Sequence, residues 1–325
     1  QYPLAIIFVL LLILGFFSLH AKNFELDASA DSLILEDDED LKIFRKITSR
    51  YDTKDFVIIT YKPNADLFSE SSFKNIKNLK NKLESLENVY DVITLIDLPL
   101  LKAANVPLKQ LNEEKIKRIT DPEVDVNLAK KEILESPIYK NLIVSEDGQL
   151  TSLIVNLKRD EQFNNLLRKR NELRAKEKLK AEEEEELEKV LLDYDSRKSN
   201  IKKINHQNIK SIREIIEEFS DTGEIHLGGV PMIADDMIEF IKSDLINFGV
   251  GVFLFIVITL VVVFREIRWV TIPLLNCFYA VLIMVGILGF VNWDVTVISS
   301  NFISLMLILT IAMNVHLAVR YKQLC

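Results

Sequence analysis

The chain has 325 residues, of which 49% are hydrophobic, and a formal net charge of −8. Its apolar residues are concentrated at the two ends and its charged residues in the middle, whereas a soluble domain mixes both kinds within each amphipathic element. The acidic balance excludes the basic footprint that nucleic-acid-binding proteins need, so we expect no nucleic acid among the partners.

Four long apolar runs are predicted to cross a membrane. The predicted spans are residues 2–19, 245–264, 270–291 and 295–319. Each has or approaches the roughly 20 residues that a helix needs to cross the hydrocarbon core. Because the runs have no polar face, we expect spans and not helices of a soluble core. A secretory signal peptide is the alternative for the first run, although its apolar stretch is longer than the roughly 7–15 residues of a signal core.

Orientation in the membrane is predicted from the charges of the short loops. Arg265 and Arg268 lie between the second and third spans, and Arg320 and Lys322 follow the fourth. The loop between the third and fourth spans, residues 292–294, has no basic residue. Because short loops rich in Lys and Arg stay in the cytoplasm, we expect Arg265 and Arg268 to anchor a cytoplasmic loop.

The segment between the first two spans, residues 22–243, is then predicted to lie outside the cytoplasm. In a Gram-negative cell this makes the protein a multi-pass protein of the inner membrane with a large periplasmic domain. The predicted strands are residues 55–61, 89–95, 150–157 and 224–227, and the main predicted helices are 73–86 and 201–219. This order is the split βαβ pattern, so we predict an α+β ferredoxin-like domain together with a membrane α-helical bundle.

Two features interrupt this order. Asp147-Gly148 is a turn dipeptide and predicts a hairpin between residues 141–145 and 150–157. Residues 168–198 are almost all charged but keep apolar side chains at helical spacing, which predicts an inserted helix or helical hairpin that the domain can lose without unfolding. This charged insertion is either a solvated element without a specific role or a docking arm for a partner or a second copy.

The sequence contains no arrangement typical of an enzyme, a cofactor site or a metal site. It has no phosphate-binding glycine loop of the expected spacing. Its four histidines are far apart and form no zinc pair: His20, His206, His226 and His316. We therefore expect no catalytic residue, no cofactor and no bound metal.

Polar residues inside the fourth span are the candidate functional residues. Such residues are costly within a membrane and usually face a bundle interior or a substrate pathway. Thr310 and Asn314 are four residues apart and share one helix face. We expect both to face the bundle, either as hydrogen-bonding partners of a neighbouring helix or as lining of a pathway. His316 lies roughly 200° from Asn314 around the helix and is a candidate for the pathway or for anchoring at the interface.

Four segments resemble one class of transporter. Residues 26–61 are similar to the acidic stretch, helix and strand that follow the first span of resistance-nodulation-division (RND) transporters of the MMPL and hopanoid-exporter type. Residues 226–245 resemble that family's approach to its second span, and residues 261–275 resemble its short second loop. Residues 298–321 resemble its fourth span, including the pair His316-Leu317.

The resemblance implies an inner-membrane exporter of lipids or other hydrophobic compounds that is driven by the proton gradient. It implies that spans two to six form a bundle related to the sterol-sensing domain, and that the outside domain is a porter domain. Family members have twelve spans in two repeats, so we expect this chain to be an N-terminal fragment whose missing second repeat is a partner. Membrane lipids, a hydrophobic or lipid substrate, and a homo-oligomer or periplasmic protein are the other expected partners.

One position departs from the family pattern. Many members carry an acidic residue in the fourth span, and a gapless alignment puts Ala312 at that position here. Proton relay by residues of this span is therefore in question. Two alternatives remain open. One is the permease subunit of an ABC exporter of the lipoprotein-release type, for which the loop at 265–268 is short, and the other is a non-transporting lipid sensor built on the same bundle.

Overall fold

The structure is a computed structural model that describes residues 3–27, 55–101, 117–174, 180–296 and 301–324, with single positions at 40, 43, 47, 176 and 299. The acidic stretch at 28–39, which contributes to the resemblance, lies outside the described residues. In chain order the elements are α1 Pro3–His20, β1 Leu26–Asp27, β2 Phe56–Pro63, α2 Glu70–Glu84, β3 Val89–Ile93, α3 Val126–Glu135, β4 Thr151–Leu157, α4 Glu161–Arg174, α5 Ala181–Glu218, β5 Gly223–Gly228, α6 Val230–Phe264, α7 Ile267–Val291, β6 Val295–Thr296 and α8 Phe302–Leu324.

The chain divides into two units. The first, here called the helical unit, comprises Gln1–Ile47 and Asp236–Cys325, and the second, the sheet domain, comprises Thr48–Asp235. The boundary falls within α6, which is 35 residues long. At 1.5 Å per residue this helix is roughly 50 Å long, whereas about 30 Å is enough to cross the hydrocarbon core. The predicted second span, residues 245–264, is its C-terminal part.

The sheet domain contains a four-stranded sheet in the order β3-β4-β2-β5, with every neighbouring pair antiparallel. These four strands lie at the four places where the sequence predicts strands. In β4, Thr151, Leu153, Val155 and Leu157 are buried and the residues between them are half-buried. This period of two gives the sheet one apolar face that needs a covering layer.

Helices α2 and α5 supply that layer. Helix α2 begins at a capping residue, Ser69, whose hydroxyl accepts a hydrogen bond from the amide of Ser72. Its buried residues Ile76, Leu79 and Leu83 are three and four positions apart, as one helix face requires. They belong to the same core as Val57, Ile59, Tyr61, Leu153 and Val155 of the sheet and Ile209 and Ile212 of α5.

The predicted hairpin before β4 is present only as a turn. Gly148 has φ +68°, a left-handed conformation that glycine adopts without strain, and its amide donates to the carbonyl oxygen of Ser145. Residues 141–145 form no strand and meet β4 at a single bridge between Val144 and Thr151. The Thr151 hydroxyl donates to the carbonyl oxygen of Ile143 at 3.0 Å and holds this segment against the sheet.

The charged insertion is a helical hairpin made of α4 and the first half of α5. Arg170 and Tyr194 are buried, with the guanidinium 4.5 Å from the ring centre, and Phe163 stacks on Tyr194 at 5.1 Å. The predicted limits, 168 and 198, therefore lie inside helices, because the aliphatic and aromatic parts of long side chains form a small core between the two helices. Residues 175 and 177–179 lie outside the described residues.

An ion pair closes the base of this hairpin. Arg197 donates to both carboxylate oxygens of Asp160, and the closest N···O distance is 2.8 Å. Burial raises the pKa of Asp160, but hydrogen bonding to Arg197 and to the Phe163 amide, with the charge of Arg197, outweighs burial and leaves the pKa below its usual 3.8. The pair therefore stabilises the fold at neutral pH, and this contribution disappears as the pH falls through the lowered pKa.

Asp160→Asn is expected to loosen the hairpin at pH 7. A partly buried bidentate pair contributes about 1 kcal/mol, so amide hydrogen exchange in residues 161–200, corrected for its intrinsic pH dependence, should accelerate about fivefold. The difference in exchange rate between the variant and the native chain should become smaller below pH 4, where the native carboxylate also becomes protonated. Glu185→Gln is the control, because Glu185 and Lys189 form an exposed pair. Equal acceleration in both variants would contradict the assignment.

In the helical unit, α1 packs against α7 through two glycines. A Cβ atom at Gly286 would lie 2.3 Å from the carbonyl oxygen of Phe17, and one at Gly289 would lie 2.2 Å from that of His20. Only glycine allows so close a backbone approach, which is the usual way apolar helices associate in lipid. Helix α7 also packs against α8, in a cluster that includes Cys277, Leu260 and Leu307.

A two-stranded parallel ribbon lies beyond the ends of α1 and α7. Leu26 pairs with Val295 and Asp27 with Thr296. The sequence predicts that the fourth span begins at 295, but the pairing with β1 makes residues 295–296 a strand, and α8 begins at Phe302. Within the described residues, four helices are long and apolar enough to cross a membrane: α1, α6, α7 and α8.

Candidate functional site

The candidate site is a polar contact between two otherwise apolar helices, α7 and α8. The side-chain amide of Asn276 donates from Nδ2 to Oδ1 of Asn314 at 2.9 Å. Asn314 in turn donates from Nδ2 to the backbone oxygen of Thr310, also at 2.9 Å. The Asn314 side chain is thus fixed at both ends, one on its own helix and one on the neighbouring helix.

This contact lies in an open groove with a volume of about 410 Å³. Its lining consists of Asn276, Tyr279, Leu309, Thr310, Met313 and Asn314. The Tyr279 hydroxyl donates to the backbone oxygen of Leu10 at 3.2 Å, so α1 is tied to the same region. The lining offers amide and hydroxyl groups beside apolar surface and carries no formal charge, which suits a neutral or weakly polar ligand in a lipid environment.

The predicted site residues do not all lie together. Thr310 and Asn314 are both half-buried and both line the groove. His316 is exposed, has no hydrogen bond or ion pair within the described part of the chain, and is not part of the groove. Arg265 is exposed between α6 and α7 and adopts φ +57°, whereas Arg268, predicted in the same loop, is exposed in the first turn of α7.

Ala312, the position that aligns with the family's acidic residue, is exposed on α8 and does not line the groove. No carboxylate occurs among the six lining residues. Within the described residues, no three His, Cys, Asp or Glu side chains are grouped so that they could hold a metal ion.

Sequence reasoning did not identify Asn276 or Tyr279. Both lie in the third apolar run, whose length and hydropathy alone predict a span. The available signal was the same one that identified Asn314, because an amide in the middle of an apolar helix needs a partner. Spacing within one helix cannot show which residue of another helix supplies that partner.

Asn276 and Asn314 are expected to be energetically coupled. In a double-mutant cycle with Asn276→Leu and Asn314→Leu, each single change should leave an amide without its partner, and the coupling should be about 0.6 kcal/mol, with about 1.7 as the upper end. The readout is the free energy of unfolding in detergent micelles. Asn247→Leu is the matched control, because Asn247 bonds only within its own helix, to Ser243 at 3.1 Å. A coupling of zero between Asn276 and Asn314 would contradict the contact.

Comparison with known proteins places part of the chain in a family. Residues 194–323 match the MMPL family, a match that includes α6, α7, most of α8 and the groove. No curated protein matches the chain. Together with the four long apolar helices of the described residues, the match shows a multi-pass membrane protein. The resemblance to MMPL-type RND transporters is thus confirmed over residues 194–323, the part of the chain that matches this transporter family.

Proposed function

We propose that this chain is the N-terminal part of an inner-membrane exporter of the RND/MMPL kind, which moves lipids or other hydrophobic compounds and uses the proton gradient. The observation that carries the proposal is the MMPL match over residues 194–323. The MMPL family consists of transporters, and the matched part includes three of the four helices that could cross a membrane.

The sheet domain is proposed to be a ferredoxin-like porter domain. In support, its strands follow the chain order strand, helix, strand, then strand, helix, strand, and their spatial order is second, third, first, fourth. All neighbouring strands are antiparallel, and α2 and α5 share one core with the sheet. This arrangement supports the proposal, because in a split βαβ unit each helix connects two parallel strands separated by a third.

Residues 22–243 are proposed to lie in the periplasm and the turn at Arg265 and Arg268 in the cytoplasm, following the loop charges. The test is labelling of Asp147→Cys and Glu266→Cys by a membrane-impermeant thiol reagent, in a background with Cys277 and Cys325 replaced by serine. Position 147 should react in intact spheroplasts, and position 266 only after permeabilisation. Reaction of position 266 from outside would overturn the orientation.

The groove with Thr310 and Asn314 is proposed to contact the transported compound, with His316 nearer the cytoplasmic interface. Support comes from the neutral hydrogen-bonding groups beside apolar lining, which match a compound that is mostly hydrophobic. Because the six lining residues include no carboxylate, a proton carrier would have to be contributed by residues outside the groove.

The decisive experiment is transport by the complete gene product in proteoliposomes that contain a fluorescent phospholipid analogue. Flux should appear on imposing a pH gradient and stop when an ionophore collapses it. Asn314→Ala should reduce flux several-fold at unchanged protein level, whereas Leu317→Ala, at an exposed position of α8, should not. Flux that is insensitive to the ionophore would overturn proton coupling.

A lipid sensor on the same bundle is the second candidate, favoured by the groove lining without a carboxylate. It predicts binding of the fluorescent analogue, sensitive to Asn314→Ala, without net flux. A permease subunit of an ABC exporter is disfavoured, because only Arg265 and Glu266 separate α6 from α7 and leave little surface for an ATPase.

A further inference from the structure

The turn between α6 and α7 and the last turn of α8 meet at one end of the helical unit. Lys322 donates from Nζ to Oε1 of Glu266 at 3.1 Å. The same ammonium group lies 5.7 Å from the ring centres of both Phe264 and Trp269. We call this surface, formed by residues 264–269 and 320–322, the basic end.

The basic end has an excess of positive charge that the described residues do not neutralise. It contains four bases, Arg265, Arg268, Arg320 and Lys322, against the single carboxylate of Glu266, which gives a net charge of +3. Lys322 pairs with Glu266. The other three bases are exposed, and none of their side chains has a hydrogen bond or ion pair to another described residue. Three guanidinium groups thus remain available on one small surface.

Aromatic residues place these guanidinium groups at the level of the lipid headgroups. Trp269 and Tyr321 lie 5.5 Å apart between their ring centres, and Phe264 stacks beside Trp269 at 6.4 Å. Trp and Tyr concentrate where hydrocarbon meets headgroups, because their rings are apolar and their N–H and O–H groups are polar. Residues one or two positions along the chain from this aromatic group therefore reach the layer that contains lipid phosphates.

We propose that the basic end binds the phosphate-bearing headgroups of anionic phospholipids. Guanidinium groups match phosphate oxygens in charge and geometry. A zwitterionic lipid carries an equal positive charge of its own and gains less from them. Lys322 contributes by neutralising Glu266, which would otherwise repel the phosphate. The other end of α7 lacks this excess of positive charge, because Trp293 there is followed by Asp294 and the loop at 292–294 contains no basic residue. The proposal does not depend on transport.

The two tryptophans of the chain make a direct test, because Trp269 lies at the basic end and Trp293 at the other. In the Trp293→Phe chain, Trp269 fluorescence is measured in vesicles that mix phosphatidylcholine with phosphatidylglycerol, one of them brominated on its acyl chains. Each available base is expected to increase the affinity for an anionic lipid about fivefold. Brominated phosphatidylglycerol should therefore be enriched around Trp269 over brominated phosphatidylcholine, as measured by quenching, by at least about fivefold. In the Trp269→Phe chain, which retains Trp293, the same enrichment ratio should be near one, so that neither lipid is preferred.

Charge variants test whether the three arginines cause this lipid preference. Replacing Arg265, Arg268 and Arg320 together by glutamine should bring the Trp269 preference to about one, whereas replacing them by lysine should retain most of it. An unchanged emission maximum and helical circular dichroism spectrum would show that the variants insert normally. Equal preferences at Trp269 and Trp293 in chains with native charges would overturn the proposal, whatever the variants do. Loss of the preference on adding inorganic phosphate at constant ionic strength would reassign the surface to free phosphate and would also overturn it.

Discussion

Replacing Gly286 by alanine is expected to detach the first helix from α7. The new methyl group would lie 2.3 Å from the backbone oxygen of Phe17, 2.6 Å from its Cβ atom, which is attached directly to the backbone, and 2.7 Å from its carbonyl carbon. A backbone cannot move aside as a flexible side chain can, so α1 must shift as a whole. Gly289→Ala should act in the same way through the carbonyl oxygen of His20, at 2.2 Å.

The expected cost is about 2 kcal/mol, or roughly a thirtyfold loss of the packed arrangement, because overpacking of a close interface typically costs about 1–3 kcal/mol. The measurement is cross-linking of Leu10→Cys to Tyr279→Cys with a bifunctional maleimide, whose spacer replaces the length of the Tyr279 side chain that reaches the backbone oxygen of Leu10 at 3.2 Å in the native chain. Cys277 and Cys325 are replaced by serine in all chains.

Gly249→Ala is the matched control for both glycine variants. This glycine is also in an apolar helix, but a Cβ atom there would have no neighbour within 4 Å. Alanine also favours the helical state over glycine by about 1 kcal/mol, so the control should cross-link at least as well as the native chain. Native cross-linking efficiency in both Gly286→Ala and Gly289→Ala would refute the close approach.

Leu153→Ala is expected to destabilise the sheet domain by about 3 kcal/mol, the usual cost of a buried leucine that leaves a cavity. Leu153 is 0% exposed in β4 and belongs to the core that the sheet shares with α2 and α5. The loss can be measured as a shift in urea midpoint, followed by pulse proteolysis of the full chain in detergent.

The adjacent residue supplies the control for this variant. Ile154 points to the opposite face of the same strand and is half-buried. Ile154→Ala removes a similar amount of apolar side chain from a surface with less packing, so it should cost about 1 kcal/mol. Equal costs at the two positions would mean that both faces of the sheet are covered, contrary to a sheet with helices on one face only.

The strands of the sheet domain and the apolar helices could be predicted because each depends on the spacing of apolar residues within its own segment of the sequence. Alternation in residues 89–95 predicted β3, and the spacing of Ile76, Leu79 and Leu83 predicted α2. Burial requires these periods wherever one face of an element meets a core. The same local reasoning put Thr310 and Asn314 on one face of α8, and the structure places both in the groove.

Features that depend on partners distant in sequence could not be predicted in this way. Nothing near Asn314 identifies Asn276 on another helix, and nothing near Val295 shows that Leu26 will pair with it and make a strand there. The small core inside the charged insertion could not be predicted for a related reason. Charge suggested a solvated helix, but the ring of Tyr194 and the guanidinium group of Arg170 are buried against each other between two helices.

The parallel ribbon of β1 and β6 constrains the topology of the chain independently of any loop charge. Two strands that share hydrogen bonds must be on the same side of a bilayer, so the chain between Leu26 and Val295 has to cross an even number of times. Among the described residues between these strands, α6 and α7 are the helices long and apolar enough to cross, so both must cross or neither does. A nascent chain in which only one of them inserted could not form the ribbon. Pairing of Asp27 with Thr296 therefore requires that the two helices insert together.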